Sequence, residues 1–140
     1  MGDKESISDV RIAPDKWTLK EMIAHLVDSA SNNHQRFIRL QFEKELVFPE
    51  YDPEGWKTVT AIGKYDYSRL LVLWREFNNY LLYLIEGLDA ATFGNVWLKN
   101  GERLTLDHLI RDYFAHIEVH EKMFRDRAEE IRSDIATRPK

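Results

Sequence analysis

The segment Trp17-Thr18-Leu19-Lys20-Glu21-Met22 constrains this chain most, because it fixes both the kind of element that follows and where that element begins. Thr18 is a good N-cap, Glu21 stands three positions later to complete a capping box, and Trp17 can staple onto Met22. Apolar residues then recur at helical spacing: Leu19, Met22, Ile23, Leu26, Ala30, Phe37 and Leu40. The pattern predicts a helix from Thr18 to about Glu45.

Pro49, Pro53 and Gly55 mark a long connection over residues 46–65, which Phe48, Tyr51 and Trp56 are placed to pack. A second helix is expected from Asp66 to Glu86, with Gly87 as its C-terminal cap and Leu70, Leu73, Trp74, Phe77, Leu81, Leu84 and Ile85 on its apolar face. Asn100-Gly101 between short apolar runs signals a type I′ hairpin. Thr105 then N-caps a third helix, stapled by Leu104 and Leu109, that should reach about Arg132. The expected architecture is all-α: three long helices with short accessory pieces. At 140 residues the chain fits one domain over 1–140, with its core at about 17–132. An apolar share of 44%, with four Trp, is enough for one real core.

Composition excludes several classes of function. Cysteine is absent, so disulfides, thiolate zinc sites and cysteine nucleophiles are ruled out, which fits a reducing, cytoplasmic setting. The first ten residues are polar and show no signal peptide, and no apolar run approaches the ~20 residues needed to span a bilayer. Gly2 and Ser6 match the loose N-myristoylation pattern, which in a short polar chain reads as coincidence. The net charge of −4 argues against nucleic acid as a partner. The basic residues near the C-terminus (Arg125, Arg127, Arg132, Arg138, Lys140) are interleaved with Asp126, Glu129, Glu130 and Asp134, as on a solvated helix end.

Two of the five histidines, His116 and His120, lie four apart on the third helix and share a face, so both imidazoles can aim at one point. Such a pair supplies two nitrogen ligands to a divalent metal, or else stands as two solvated imidazoles on an amphipathic edge. It is not the zinc-protease pattern: Ile117 occupies the place of the required Glu, and Glu118 faces about 200° away. The Glu-x-x-His pattern of carboxylate di-iron bundles is missing too. His25 lies at the margin of the first helix's apolar stripe and is the natural third ligand; the alternative is a buried histidine bonded to a neighbouring helix. Ser29, Asn32 and Arg36 continue from His25 as a polar strip, as in a pocket wall. His34 lies about 180° from His25 and is structural or superficial, and His108 is at best on a rim. Asp112, one turn before His116, is either a hydrogen-bond acceptor for a ligand imidazole or a solvated charge.

The run PDKWTLKEMIAHLVDSASNNHQRF, the segment YDPEGW and the closing LDHLIRDYFAHIEVHEKMF together resemble the DinB-like, YfiT-like superfamily of metal-dependent enzymes. The resemblance extends from about Trp17 to Phe124. It implies an up-down helical bundle of the four-helix type with a metal site made of His25, His116 and His120. It also implies a divalent ion (Zn, Ni, Fe or Mn) that activates water or a thiol, in a thiol S-transferase using a low-molecular-weight thiol or in a hydrolase. Asp28, Asn32, Asn33, Arg36 and Asp112 are the candidates for supporting the ligands or lining a substrate pocket, and no general base stands out. The family usually opens with a full helix before the tryptophan, and here sixteen residues precede Trp17 with Pro14 among them. The first bundle helix is therefore expected to be short or missing, so that a second subunit covers the open side in a homodimer, or the chain is a truncated product. The substrate expected is a small molecule. The alternative is a non-catalytic helical or dimerisation module with a vestigial or structural metal site.

Overall fold

The structure, a computed structural model, describes residues 7–138. Gly2 and Ser6, which carry the acylation pattern, lie outside them. Four α-helices and a small sheet follow in the order α1 Leu19–Arg39, β1 Glu45–Val47, α2 Pro53–Thr60, α3 Tyr67–Glu86, β2 Val96–Lys99, β3 Glu102–Thr105 and α4 Leu106–Thr137, with short 3₁₀ turns at Ile62–Lys64 and Ala90–Thr92.

α1 begins where the capping box places it. Thr18 Oγ1 accepts from Glu21 N at 3.1 Å, and Glu21 Oε1 accepts from Thr18 N at 2.9 Å. A cap of this kind is worth about 1 kcal/mol. The helix ends at Arg39 rather than Glu45. Asn95 Nδ2 donates to Leu40 O at 2.7 Å and satisfies one of the carbonyls that the ending helix leaves free. Residues 45–47 instead form β1, which pairs in parallel with β2 and buries Leu46.

The connection over 46–65 contains α2, not expected as an element. Asp52 N-caps it and Pro53 stands at its start, where a missing N–H costs nothing. The Asn100-Gly101 hairpin forms as the dipeptide predicts. Both residues have positive φ, 48° and 86°, and Lys99 faces Glu102 across the two-residue turn. α4 runs past Arg132 to Thr137, its exposed last turns laced by i,i+4 pairs such as Arg138–Asp134 at 2.5 Å.

Leu19, Ile23, Ala30, Phe37 and Leu40 of α1 pack against Leu70, Trp74 and Leu81 of α3 and against Leu106, Leu109, Tyr113, Phe124, Ala128 and Ile131 of α4. α1 is thus the central helix, with α3 and α4 laid against it. Leu73, expected on the buried face of α3, is 45% exposed. Tyr113 Oη bridges α4 and α3 by donating to Asn78 Oδ1 at 2.7 Å. Residues 7–17 carry no α-helix and lie against α1, with Ser8 O accepting from Lys20 N and Asp9 pairing with the Lys20 ammonium. Among the described residues no helix is long and apolar enough to cross a membrane.

Candidate functional site

Between α1 and α4 lies a cleft of about 240 Å³, lined along α1 by His25, Ser29, Asn33 and Arg36 and along α4 by Leu109, Asp112, His116 and His120. The spacing of each set is one helical face, which is why an i,i+4 reading finds them. The His25 and His120 rings stand 4.8 Å apart between centroids, and those of His116 and His120 6.0 Å apart. His25 is half-buried. Burial, followed by the neighbouring His120 and His116, lowers its pKa to about 4, so the ring is neutral near pH 7. Burial and then His116 lower His120 in the same direction. The His116 side chain is 58% exposed at the mouth, its Nδ1 3.9 Å from Asp112 Oδ2, a distance for electrostatic attraction rather than a hydrogen bond. Among the described residues no three His, Cys, Asp or Glu side chains already converge as a metal-holding group.

Two residues outside the long helices complete the site, Tyr51 from the connection and Trp17 just before α1, and the sequence reading assigned neither a part in it. Tyr51 Oη lies 3.0 Å from His25 Nδ1, and burial raises the phenol's pKa to about 12, so it stays neutral. Trp17 sets its ring edge-on to His25 at 5.6 Å. Its indole N–H donates to Glu54 at 3.1 Å, and its carbonyl accepts from Arg127 of α4. The available signal was the Asp52-Pro53 helix start in YDPEGW, which holds Tyr51 against the bundle. On the other side of His25 and His120 opens an apolar pocket of about 310 Å³ formed with Trp17, Met22, Leu26, Met123 and Phe124.

The remaining expected residues divide. Asn33 and Asp112 face the cleft, with Asn33 Nδ2 also donating to Ser29 O at 2.9 Å. Asn32 is buried off the cleft, its amide turned back to Asp28 O at 2.8 Å. Asp28 lies toward α2 beside Lys57 and Thr60 rather than in the cleft. Burial raises its carboxyl pKa to about 6. His34 meets Tyr80 of α3, 3.4 Å from its hydroxyl, and is no part of the site. His108 is exposed.

A sequence profile of the DinB superfamily matches residues 6–129. The chain belongs to the DinB superfamily. Among solved structures, this DinB-superfamily chain is similar to YfiT from Bacillus subtilis, described as a probable metal-dependent hydrolase with an unusual four-helix bundle topology. Identity is 24%, the TM-score is 0.74, and the match covers 87% of this chain and 73% of that one. The likeness establishes the shared fold. No curated protein matches.

The opposed shifts of His25 and Asp28 give a pH signature in metal-free protein. His25 falls from 6.5 unfolded to about 4 folded, so its contribution to stability is complete above pH 6.5 and is lost as pH falls toward 4. Asp28 rises from 3.8 to about 6, so its contribution is present at low pH and is lost as pH rises toward 6. The two offset each other between about pH 4 and 6. Asp28→Asn is expected to steepen the acid loss of melting temperature in that window. Parallel curves for the native protein and the variant would show the offset to be absent.

Proposed function

We propose that this chain is a metal-dependent enzyme in which His25, His116 and His120 hold one divalent ion at the head of the α1–α4 cleft, acting as a hydrolase or thiol transferase on a small molecule. The observation that carries the reading is that His120 of α4 stands 4.8 Å from His25 of α1 and 6.0 Å from His116 between ring centroids, which brings together imidazoles from two distant chain segments.

The residues fit such an ion. Two imidazoles on one tetrahedral ion, bound through nitrogens at about 2.0–2.1 Å, put their ring centroids about 5 Å apart. The observed 4.8 and 6.0 Å bracket that value. His25 and His120, held neutral, have lone pairs to give. His116, exposed and free to turn about its side-chain bonds, closes the set. When bound, a divalent ion with three imidazole ligands supplies Lewis acidity at its open positions, lowering the pKa of water or a thiol and polarising a carbonyl. Tyr51, 3.0 Å from His25 Nδ1, engages that nitrogen, so that Nε2 would be the one left to hold the ion. Trp17, Met22, Leu26, Met123 and Phe124 offer an apolar pocket wall beside His25 and His120 that suits an apolar part of a substrate. The exposure of His116 and the open cleft favour a catalytic site over a sealed structural one.

Elemental analysis and metal titration test the reading. Native protein is expected to hold one ion per chain, and Tyr51→Phe to bind it about 10–100-fold more weakly. Unchanged affinity in Tyr51→Phe would remove Tyr51 from the site, and native protein that binds no ion would end the proposal. A thiol-transfer screen and an ester or amide hydrolysis screen on the loaded protein separate the two chemistries.

For the expected homodimer the candidate face is a groove of α1, α3 and α4 that combines Ile23, Leu26, Trp74, Ile117 and Phe124 with the polar Asn78, His120, Glu121 and Arg125. Light scattering at micromolar concentration should give twice the chain mass; a clean monomer would refute it.

A further inference from the structure

At the end away from His25, the α1–α4 cleft holds a cation with no matching acceptor. Arg36 is only 6% exposed, yet it lines the cleft with Ser29 and Asn33. Its guanidinium lies over Trp97, Cζ 3.9 Å from the ring centroid, which occupies the face of the group and leaves its edge. On that edge Nε is buried without a hydrogen-bond partner among the described residues. A buried donor left unpaired is costly, and a buried unpaired charge more so. The groups that act on Arg36, Tyr51 and then Glu50, are both committed elsewhere: Tyr51 Oη meets His25 Nδ1, and Glu50 accepts from Asn100 Nδ2 and lies 3.7 Å from the Lys99 ammonium. Burial draws the Arg36 pKa down, but an arginine remains charged at any working pH.

We propose that Arg36 anchors a carboxylate of the substrate, at the opposite end of the cleft from the three histidines. The inference rests on the reading of this cleft as the active site. A guanidinium stacked on an indole presents a planar fork of N–H donors, the geometry that a carboxylate accepts in bidentate fashion. Lys99 and Glu50 offset one another and Asp112, the other carboxylate on the cleft, stands beside His116, so Arg36 offers a single cation with no ion-pair partner among the described residues, which matches a monoanion better than a phosphate dianion. Eleven residues separate His25 from Arg36, three turns and about 16 Å of rise on one helical face, and the arginine side chain leans back toward the helix N-terminus. The substrate is therefore elongated, with its carboxylate several bonds from the group that reacts.

Acetate is the probe, titrated into the full chain at matched ionic strength against chloride and inorganic phosphate, with the Trp97 indole N–H followed by NMR. Native protein should show a saturable shift with acetate and a weaker one with phosphate. Arg36→Met should weaken acetate binding about tenfold or more, the loss expected for one charged hydrogen-bonding group. Its melting temperature should equal or exceed that of native protein, because the unpaired charge is gone while the stem still packs. Arg36→Lys keeps the charge without the fork and should bind acetate with intermediate strength; it carries the test if Arg36→Met does not fold. No saturable shift in native protein, unchanged affinity in the variants, or tighter binding of phosphate than of acetate would each overturn the proposal. So would lowered melting temperatures with acetate binding intact, which would make Arg36 a structural prop. Metal content measured on the same samples separates the two readings: retained metal without acetate binding rejects only the anchor, and acetate binding without metal rejects only the metal site.

Discussion

His120→Ala is expected to weaken divalent-metal binding by roughly a hundredfold or more, the largest functional effect of any one substitution. His120 stands between the other two imidazoles, 4.8 Å from His25 and 6.0 Å from His116 between ring centroids. Removing it leaves the remaining pair without the member that links them. Changes to groups that merely support a ligand already cost about 10–100-fold, and loss of a ligand should cost at least as much. The fold should survive, since His120 is half-buried and Ala favours helix. Competition with a chromophoric chelator, together with circular dichroism on the same sample, reads both quantities. A variant that kept native affinity would exclude His120 as a ligand.

Phe37→Ala is expected to cost about 3–5 kcal/mol of stability, the largest structural effect. Phe37 is fully buried on α1 and meets Tyr113 of α4 edge-to-face at 6.1 Å between ring centroids. Its removal would leave a cavity where the central helix holds α4, and with it His116 and His120, in register. Against a total of about 5–15 kcal/mol for a domain, that loss brings the protein close to unfolding. Urea unfolding measures it, and a change below about 1 kcal/mol would show that the α1–α4 contact closes up without Phe37.

The three long helices were legible because their signals are local. Thr18 and Glu21, Asp66, Thr105 and the 3.6-residue periodicity act within a few residues of themselves, and each begins a helix where expected. The end of α1 was not legible. The periodicity carries through Leu40, and the group that takes up the Leu40 carbonyl at the helix end is Asn95, far along the chain. The pairing of β1 with β2 and the exposure of Leu73 are likewise set by distant partners. Within the site, helical spacing places His25, Ser29, Arg36, Asp112, His116 and His120 on one cleft, which Asn33 also lines. Asn32, on the same strip by spacing, is instead buried with its amide turned back to the Asp28 carbonyl, and Asp28 lies toward α2. Tyr51, Trp97 and Lys99 reach the cleft through loop and strand geometry, which no periodicity encodes. Arg36 was visible as a polar position, but its lack of an acceptor emerges only once Trp97 and Glu50 are in place.

The most direct test is diffraction from crystals grown with zinc, collected at the metal's absorption edge. The account predicts one anomalous peak per chain at the head of the α1–α4 cleft, about 2.0–2.1 Å from a ring nitrogen of each of residues 25, 116 and 120. A peak elsewhere, or one that leaves any of those three rings beyond bonding distance, would contradict it.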